Sequence, residues 1–242
     1  MTDLELAEAA ARAAGELLLG RFGGPARGVE AKSSSTDMVS EADRVAEAAI
    51  VELLRSERPD DGLLGEEGSS ADGRSGRRWV VDPLDGTTNY LYGIPQWAVS
   101  VALEDGSGSL VGVVFAPVAG ELFRAERGRG AELSGGATTG EAGTRPLHVR
   151  EGATLERSLV ATGFGYDPER RRAQARAAAH VLPRVRDIRR AGAAALDLAW
   201  LAAGRLDGYW ERGLEPWDWA AGRLLVSEAG GAVAELDGEP HG

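Results

Sequence analysis

Trp79-Val80-Val81-Asp82-Pro83-Leu84-Asp85-Gly86-Thr87-Thr88-Asn89 is the stretch on which the reading of this chain turns. Arg78 to Val81 has the apolar, β-branched character of a short strand. Pro83 and Gly86 then break regular structure, and Thr87-Thr88-Asn89 can open a helix. Two carboxylates three residues apart thus leave a buried strand end together, with Pro83 fixing the backbone and the Leu84 carbonyl turned to the same side. Carboxylates held within about 4 Å repel by roughly 4 kcal/mol at an effective dielectric near 20. Such a pair is stable mainly around a divalent cation. The same acids also suit a plain turn, since Asp favours loops. The first N–H groups of a helix opening at Gly86 and Thr87 suit a phosphate, so a cation and an anion would meet here.

More acids lie on either side. Gly65-Glu66-Glu67 precedes the strand, and Glu215-Pro216-Trp217-Asp218 puts an acid in the first turn of a late helix whose first position is Pro216. Glu66 and Glu67 also read as solvated loop acids, and Asp218 as a complement to the helix dipole. Ser40-Glu41-Ala42-Asp43 has the form of a capping box with Asp for the usual Glu, opening a helix to about Leu54. Helical apolar spacing also covers residues 3 to 22, ending at Gly23-Gly24. Trp97–Leu103, Leu110–Phe115 and Glu121–Glu126 read as an antiparallel meander. The Gly- and Thr-rich stretch from Gly135 to Thr144 reads as the seam between an N-terminal α+β half, 1–145, carrying most of the acids and a C-terminal α/β half, 146–242, completing one compact unit. In that second half, strand Ser158–Thr162, helices at Arg170–Val181 and Gly192–Ala203, strand Arg205–Trp210 and helix Pro216–Ala229 alternate as in a layered α/β unit.

Composition narrows the chemistry. With 242 residues, 43% hydrophobic and 27% charged, the chain has the make-up of a globular protein. No cysteine is present, so a metal would be held by oxygen or imidazole. His148, His180 and His241 are scattered, which leaves oxygen and removes the zinc motifs. A net charge of −11 argues against nucleic acid or an anionic membrane as partner and favours a small substrate. The acidic start Met1-Thr2-Asp3-Leu4-Glu5 is unlike a signal peptide, and Leu110–Gly120 is too short to span a bilayer, so a cytoplasmic location is expected. Of the 27 Lys and Arg residues Lys32 alone is a lysine, and Asn89 is the one asparagine.

In order and spacing, Gly65-Glu66-Glu67, the run from Asp82 to Asn89 and Trp217-Asp218-Trp219-Ala220-Ala221-Gly222 resemble the inositol monophosphatase family. The resemblance extends through Lys32-Ser33-Ser34 to Asp43, Pro95 to Leu103, Gly128-Arg129-Gly130-Ala131 and Ala161-Thr162-Gly163-Phe164, covering most of the chain. It implies a layered αβαβα sugar-phosphatase fold of the α+β class, with N-terminal helices on an antiparallel sheet and a smaller C-terminal α/β layer. It also implies two or three Mg²⁺ ions per site, Mn²⁺ being an alternative. Glu66, Asp82 and the Leu84 carbonyl resemble ligands of one ion, and Asp82, Asp85 and Asp218 ligands of a second. Thr87 and Asp43 resemble the pair that orients and deprotonates the attacking water. Gly86, Thr87 and Thr88, with Asp85, resemble the phosphate-holding segment. Gly192, Ala194 and Glu211 resemble residues that face the polyol. Lys32 resembles the family's active-site lysine, and Glu67 follows the ligand Glu66 as in the family. Relatives acting on adenosine bisphosphates or histidinol phosphate often carry Lys where this chain has Thr88, which favours inositol 1-phosphate. Fructose 1,6-bisphosphate and histidinol phosphate are alternative substrates on this scaffold, and a noncatalytic interaction protein is the alternative class. A homodimer is the partner common in the family. Family members usually continue beyond the equivalent of Gly230-Gly231 through a last strand and helix, so a C-terminal layer cut short at Gly242 is the one expected departure.

Overall fold

Apolar residues at helical spacing make α1 (Asp3–Leu19), closed at its start by a capping box in which Thr2 and Glu5 each accept the other's backbone N–H. The structure, a computed structural model, describes residues 1–24, 28–31, 38–136 and 143–234. Lys32 and His241 lie outside the described residues. A short ribbon of β1 (Glu30–Ala31) and β2 (Met38–Val39) leads to α2 (Glu41–Glu57). Then follow β3 (Gly62–Gly65), β4 (Ser70–Ala71), β5 (Arg78–Asp85) and the single-turn helix α3 (Thr87–Leu91). The expected meander appears as β6 (Ala98–Asp105), β7 (Gly108–Ala116) and β8 (Glu121–Glu126), continued by β9 (Ala131–Gly135) and β10 (Thr144–Pro146). The remainder comprises β11 (Leu159–Thr162), α4 (Pro168–Val181), β12 (Asp187–Arg189), α5 (Ala194–Ala202), β13 (Gly208–Trp210) and α6 (Pro216–Glu228).

Eight strands form one sheet in the order β10-β9-β8-β7-β6-β5-β3-β4, and β12-β11-β13 form a small parallel sheet. Because strand side chains alternate faces, β5 feeds two cores. Trp79 and Val81 pack with Leu6, Leu18, Ile50 and Leu54 of α1 and α2, while Val80 packs with Leu196, Ala199 and Leu225 of α5 and α6. On its far side α5 meets β13 of the small sheet. Outermost, α4 is held by Gln174, whose amide accepts from Gly165 N at 3.0 Å and donates to the Arg212 carbonyl at 3.1 Å. This is the layered order of helices and sheets that the motifs imply.

Three readings need correction. The large sheet is mixed rather than antiparallel, because β3 runs parallel to β5. The short β4 folds back on β3, and the chain then passes over β3 to pair on its other side. Nor does the strand stop at Val81, for β5 continues to Asp85. Pro83 lacks the N–H a regular ladder needs, yet the pairing slips by one residue there: Asp82 faces Ser100 and Asp85 faces Ala98. A bulge is one of the few places within a sheet that accepts proline. The expected strand Arg205–Trp210 keeps only its last three residues as β13. Within the expected seam, residues 137–142 are outside the described ones, while its flanks pair with each other as β9 and β10.

The position of α6 depends on a close approach to the sheet. A side-chain carbon at Gly112 in β7 would lie 2.9 Å from both the Cα and the carbonyl oxygen of Ala221. Ser109 Oγ donates to the Ala220 carbonyl at 2.8 Å, and Ser100 Oγ to that of Trp217 at 3.2 Å. Backbone on both sides leaves no flexible atom to yield. Gly112→Ala is therefore expected to destabilise the fold by roughly 1–3 kcal/mol through overpacking. Thermal unfolding would register this as a lower Tm, and a Tm equal to that of the unsubstituted protein would contradict the packing described.

Candidate active site

The bulge in β5 gathers what a regular strand would scatter. Alternation would send Asp82 and Asp85 to opposite faces, but the extra residue between them turns both toward one end of the sheet. Asp82 is 1% exposed, and its Oδ1 accepts from Leu84 N at 2.9 Å. Gly86 then takes a φ of +93°, and a Cβ there would meet the Gln96 carbonyl oxygen at 3.0 Å, so glycine answers both needs. Behind it, the lone asparagine, Asn89, donates from Nδ2 to the carbonyls of Gln96 (2.7 Å) and Ala191 (2.8 Å). In this way α3 is tied to the loop before α5.

Glu66 stands in the turn after β3, its N–H bonded to the Val81 carbonyl at 3.2 Å, next to Asp82 in space. Burial pushes the Asp82 carboxyl well above the usual range, and the charges of Glu66, Asp85 and Asp218 push it further. Burial also drives Asp85 up to about 8, with Asp197 and Glu66 adding to the shift and the N–H groups of Leu196 and Ala194 opposing it. Those N–H groups bond to the two Asp85 oxygens at 3.1 and 2.9 Å. They are the opening N–H groups of α5, whose own cap residue, Ala193, offers no side-chain acceptor. An acid from the large sheet thus caps a helix that begins more than a hundred residues later. Asp218 accepts from Glu215 N at 2.7 Å in a capping box of its own, and burial raises it well above the usual range before Asp85 and Glu66 add to the effect. The helix-end reading of Asp218 and its nearness to the other acids therefore both hold.

Asp43 likewise makes two kinds of contact. Its Oδ2 accepts from Ser40 N at 2.9 Å and from Ser40 Oγ at 2.5 Å, closing the capping box of α2. Its Oδ1 accepts from Thr87 Oγ at 2.9 Å, and the same hydroxyl lies 3.1 Å from the Leu84 carbonyl. Thr87 can give its one proton to either oxygen. Helix α2 and the start of α3 so meet at the mouth of the acid cluster.

On the α5 side, Gly192 adopts a φ of +90° and Ala194 lies against Asp85. Glu211 accepts from Tyr209 Oη at 2.5 Å and lies directly on Gly163, where any Cβ would fall 2.0 Å from its Oε2. Burial raises both the Glu211 carboxyl and the Tyr209 hydroxyl above their ordinary ranges. Sequence reading missed Asp197, the one charged residue of the apolar helix α5, which is 2% exposed. Its Oδ1 is buried with no hydrogen-bond partner among the described residues. Burial and the nearby Glu211 charge lift it to about 7. A lone acid in AALDLAWLA was a legible signal. His148 and His180 are exposed, in keeping with a surface role.

The donors fit a hard divalent cation in kind: four carboxylates and a carbonyl, no sulfur and no imidazole. They fit it electrostatically too, since Glu66, Asp85 and Asp218 each disfavour the charge on Asp82. Among the described residues no three acids are yet closed around a common point. Several of their oxygens accept backbone N–H groups instead.

The sequence matches the profile described as the Inositol monophosphatase family over residues 2–241. The chain is 48% identical over 208 residues to an inositol-1-monophosphatase of Rhizobium meliloti, covering 84% of this chain and 73% of that protein. It is 39% identical over 240 residues to the Nus factor SuhB of Escherichia coli, covering 97% and 85%. The crystal structure of the extragenic suppressor protein SuhB of Bartonella henselae superposes with a TM-score of 0.83 at 42% identity, covering 93% of this chain and 84% of that one. A bulged strand that crowds four acids, a hydroxyl–carboxylate pair at their mouth and a profile spanning the chain lead to one assignment: the chain belongs to the inositol monophosphatase family and is by class a phosphatase.

Proposed function

We propose that the chain hydrolyses the phosphate monoester of a small polyol or sugar, inositol 1-phosphate before others, in a Mg²⁺-dependent reaction. The observation that carries this reading is the crowding of Glu66, Asp82, Asp85 and Asp218 beside the Thr87–Asp43 pair. Glu66, Asp82 and the Leu84 carbonyl would hold one cation, and Asp82, Asp85 and Asp218 a second. When bound, these ions would neutralise the acids, polarise the phosphoryl oxygens and acidify the attacking water. Asp43, fixed on one oxygen by Ser40, offers the other to Thr87. A water bonded to Thr87 Oγ gives that oxygen its proton while the hydroxyl proton of Thr87 moves to Asp43 Oδ1. The hydroxide so formed attacks phosphorus in line, the bond from phosphorus to the ester oxygen breaks, the departing alkoxide takes a proton from a solvent water, and Asp43 returns its own proton to solvent. Gly86, Thr87 and Thr88 would hold the phosphate oxygens, with Gly192, Ala194 and Glu211 toward the polyol hydroxyls.

Thr88 in place of a lysine supports inositol 1-phosphate over histidinol phosphate or adenosine bisphosphates. Fructose 1,6-bisphosphate is the alternative ester. The name Nus factor carried by the Escherichia coli relative supports a second reading, a binding role alongside or instead of catalysis. Against its replacing catalysis, every acid and hydroxyl that the reaction would use is present. Among the described residues no helix is long and apolar enough to cross a membrane. We place the protein in the cytoplasm, working as a homodimer and, with a net charge of −11, without nucleic acid.

The purified protein should release phosphate from inositol 1-phosphate with Mg²⁺, and lose the activity in EDTA or as Asp85→Asn. No release from any of inositol 1-phosphate, fructose 1,6-bisphosphate, histidinol phosphate and adenosine bisphosphate would overturn the reading. Thr87→Val keeps the shape and removes the hydroxyl, so kcat should fall about 10²–10⁴-fold with KM little changed. An undiminished kcat would exclude Thr87 from handling the water.

The buried acid beside Glu211 gives a pH dependence whose sign is fixed. Asp197 binds its proton more tightly when folded, about 7 against 3.8. Its contribution to stability is fully present below pH 3.8 and is lost as the pH rises through about 7. In EDTA, urea unfolding should show stability falling between roughly pH 4 and 7, and Asp197→Asn should remove on the order of 4 kcal/mol of that fall. A variant with the same pH slope as the unsubstituted protein would contradict this.

A further inference from the structure

Glu47 sits one helical turn beyond Asp43, on the same face of α2, and is 3% exposed. Its carboxylate reaches the turn that follows β3, Oε2 accepting from Glu67 N at 2.8 Å and Oε1 from Ser69 N at 3.0 Å. Among the described residues it forms no ion pair. A side-chain carbon at Gly65 would fall 2.5 Å from Oε2, so the carboxylate lies directly on the backbone and glycine leaves the room for it. Beyond that contact the turn is held by Gly65 N to the Ser69 carbonyl at 2.7 Å and by Glu66 N to the Val81 carbonyl at 3.2 Å. Glu66 is thus fixed on one side by β5 and on the other by Glu47.

A buried carboxylate is costly to keep unless its oxygens are satisfied. Here both are satisfied by N–H groups of one five-residue turn, through charge-assisted bonds of the stronger kind. The turn is partly exposed and contains Gly68 at a φ of +101°, with Gly68 N reaching the Gly65 carbonyl at 3.4 Å, so the Glu47 bonds are the side-chain grip on its backbone described above. We infer that Glu47 is a positioning residue: by gripping Glu67 and Ser69 it aims Glu66 at Asp82 and so sets the affinity of the acid cluster for a divalent cation. The inference rests on the proposed metal-dependent reading of the site. Through it α2 serves the site twice, with Asp43 on Thr87 and, four residues later, Glu47 on the turn carrying Glu66.

The test uses the full chain and Mg²⁺ alone, followed by titration calorimetry and by the rise of Tm with added Mg²⁺, with no substrate present. Glu47→Gln places an amide NH₂ against at least one of the two N–H groups. It should raise the half-saturating Mg²⁺ concentration about 10–100-fold, as loss of a partner behind a ligand does elsewhere. Leu54→Ala, a core truncation in the same helix, should lower Tm in EDTA while leaving that concentration within about threefold. Glu47→Asp keeps the charge but cannot span both N–H groups, and should weaken Mg²⁺ in the same direction. Should Glu47→Gln fail to fold, Glu47→Asp decides the matter alone. A midpoint equal to that of the unsubstituted protein in the folded variant, or an equal shift in Leu54→Ala, overturns the inference and leaves the metal reading standing. Absence of any Mg²⁺ response in the unsubstituted protein overturns both.

Discussion

Mutual repulsion among buried carboxylates is the constraint around which this molecule is arranged. Asp82 lies at the bulge of a strand covered on both faces, with Glu66, Asp85 and Asp218 all acting against its charge. A fold that merely needed stability would fill such a place with apolar side chains, since burying even one unpaired charge is expensive. Keeping the acids there commits the surrounding elements to holding them. The Asp85 oxygens take the first N–H groups of α5, Asp218 closes the first turn of α6, and Asp43 closes that of α2. Three helix starts are therefore fixed by acids of the candidate site, so that the proposed chemistry and the architecture would share hydrogen bonds.

That sharing explains how the readings of single residues were resolved. For Asp43 and Asp218 a capping role and a place in the site compete in the sequence; the structure shows the caps and leaves room for the second role, because a carboxylate has two oxygens and more lone pairs than one helix N–H requires. Glu67 contributes its backbone N–H to Glu47.

Much of the fold was legible in local pattern. The helical spacing of α1, the capping box of α2 and the meander of β6, β7 and β8 all follow from neighbouring residues. Pro83 misled because its usual effect is to end a strand, whereas here a bulge absorbs the missing donor and lets β5 carry both acids. The parallel pairing of β3 with β5 escaped because β4 is only two residues long and has no period to read. Contacts between distant residues left no local trace: Asp85 caps α5 across 109 positions, and Glu47 meets a turn some twenty residues away. Asp197 was different, being visible as a lone charge in an apolar helix.

We take the four acids to act as one site, so that protons and cations compete for it. Calorimetric titration of Mg²⁺ at pH 7 in buffers of different ionisation enthalpy counts the protons released on binding. With Asp82 and Asp218 raised well above the usual range and Asp85 near 8, the expected result is release of about one proton or more per chain. Mg²⁺ binding with no proton released would contradict the account.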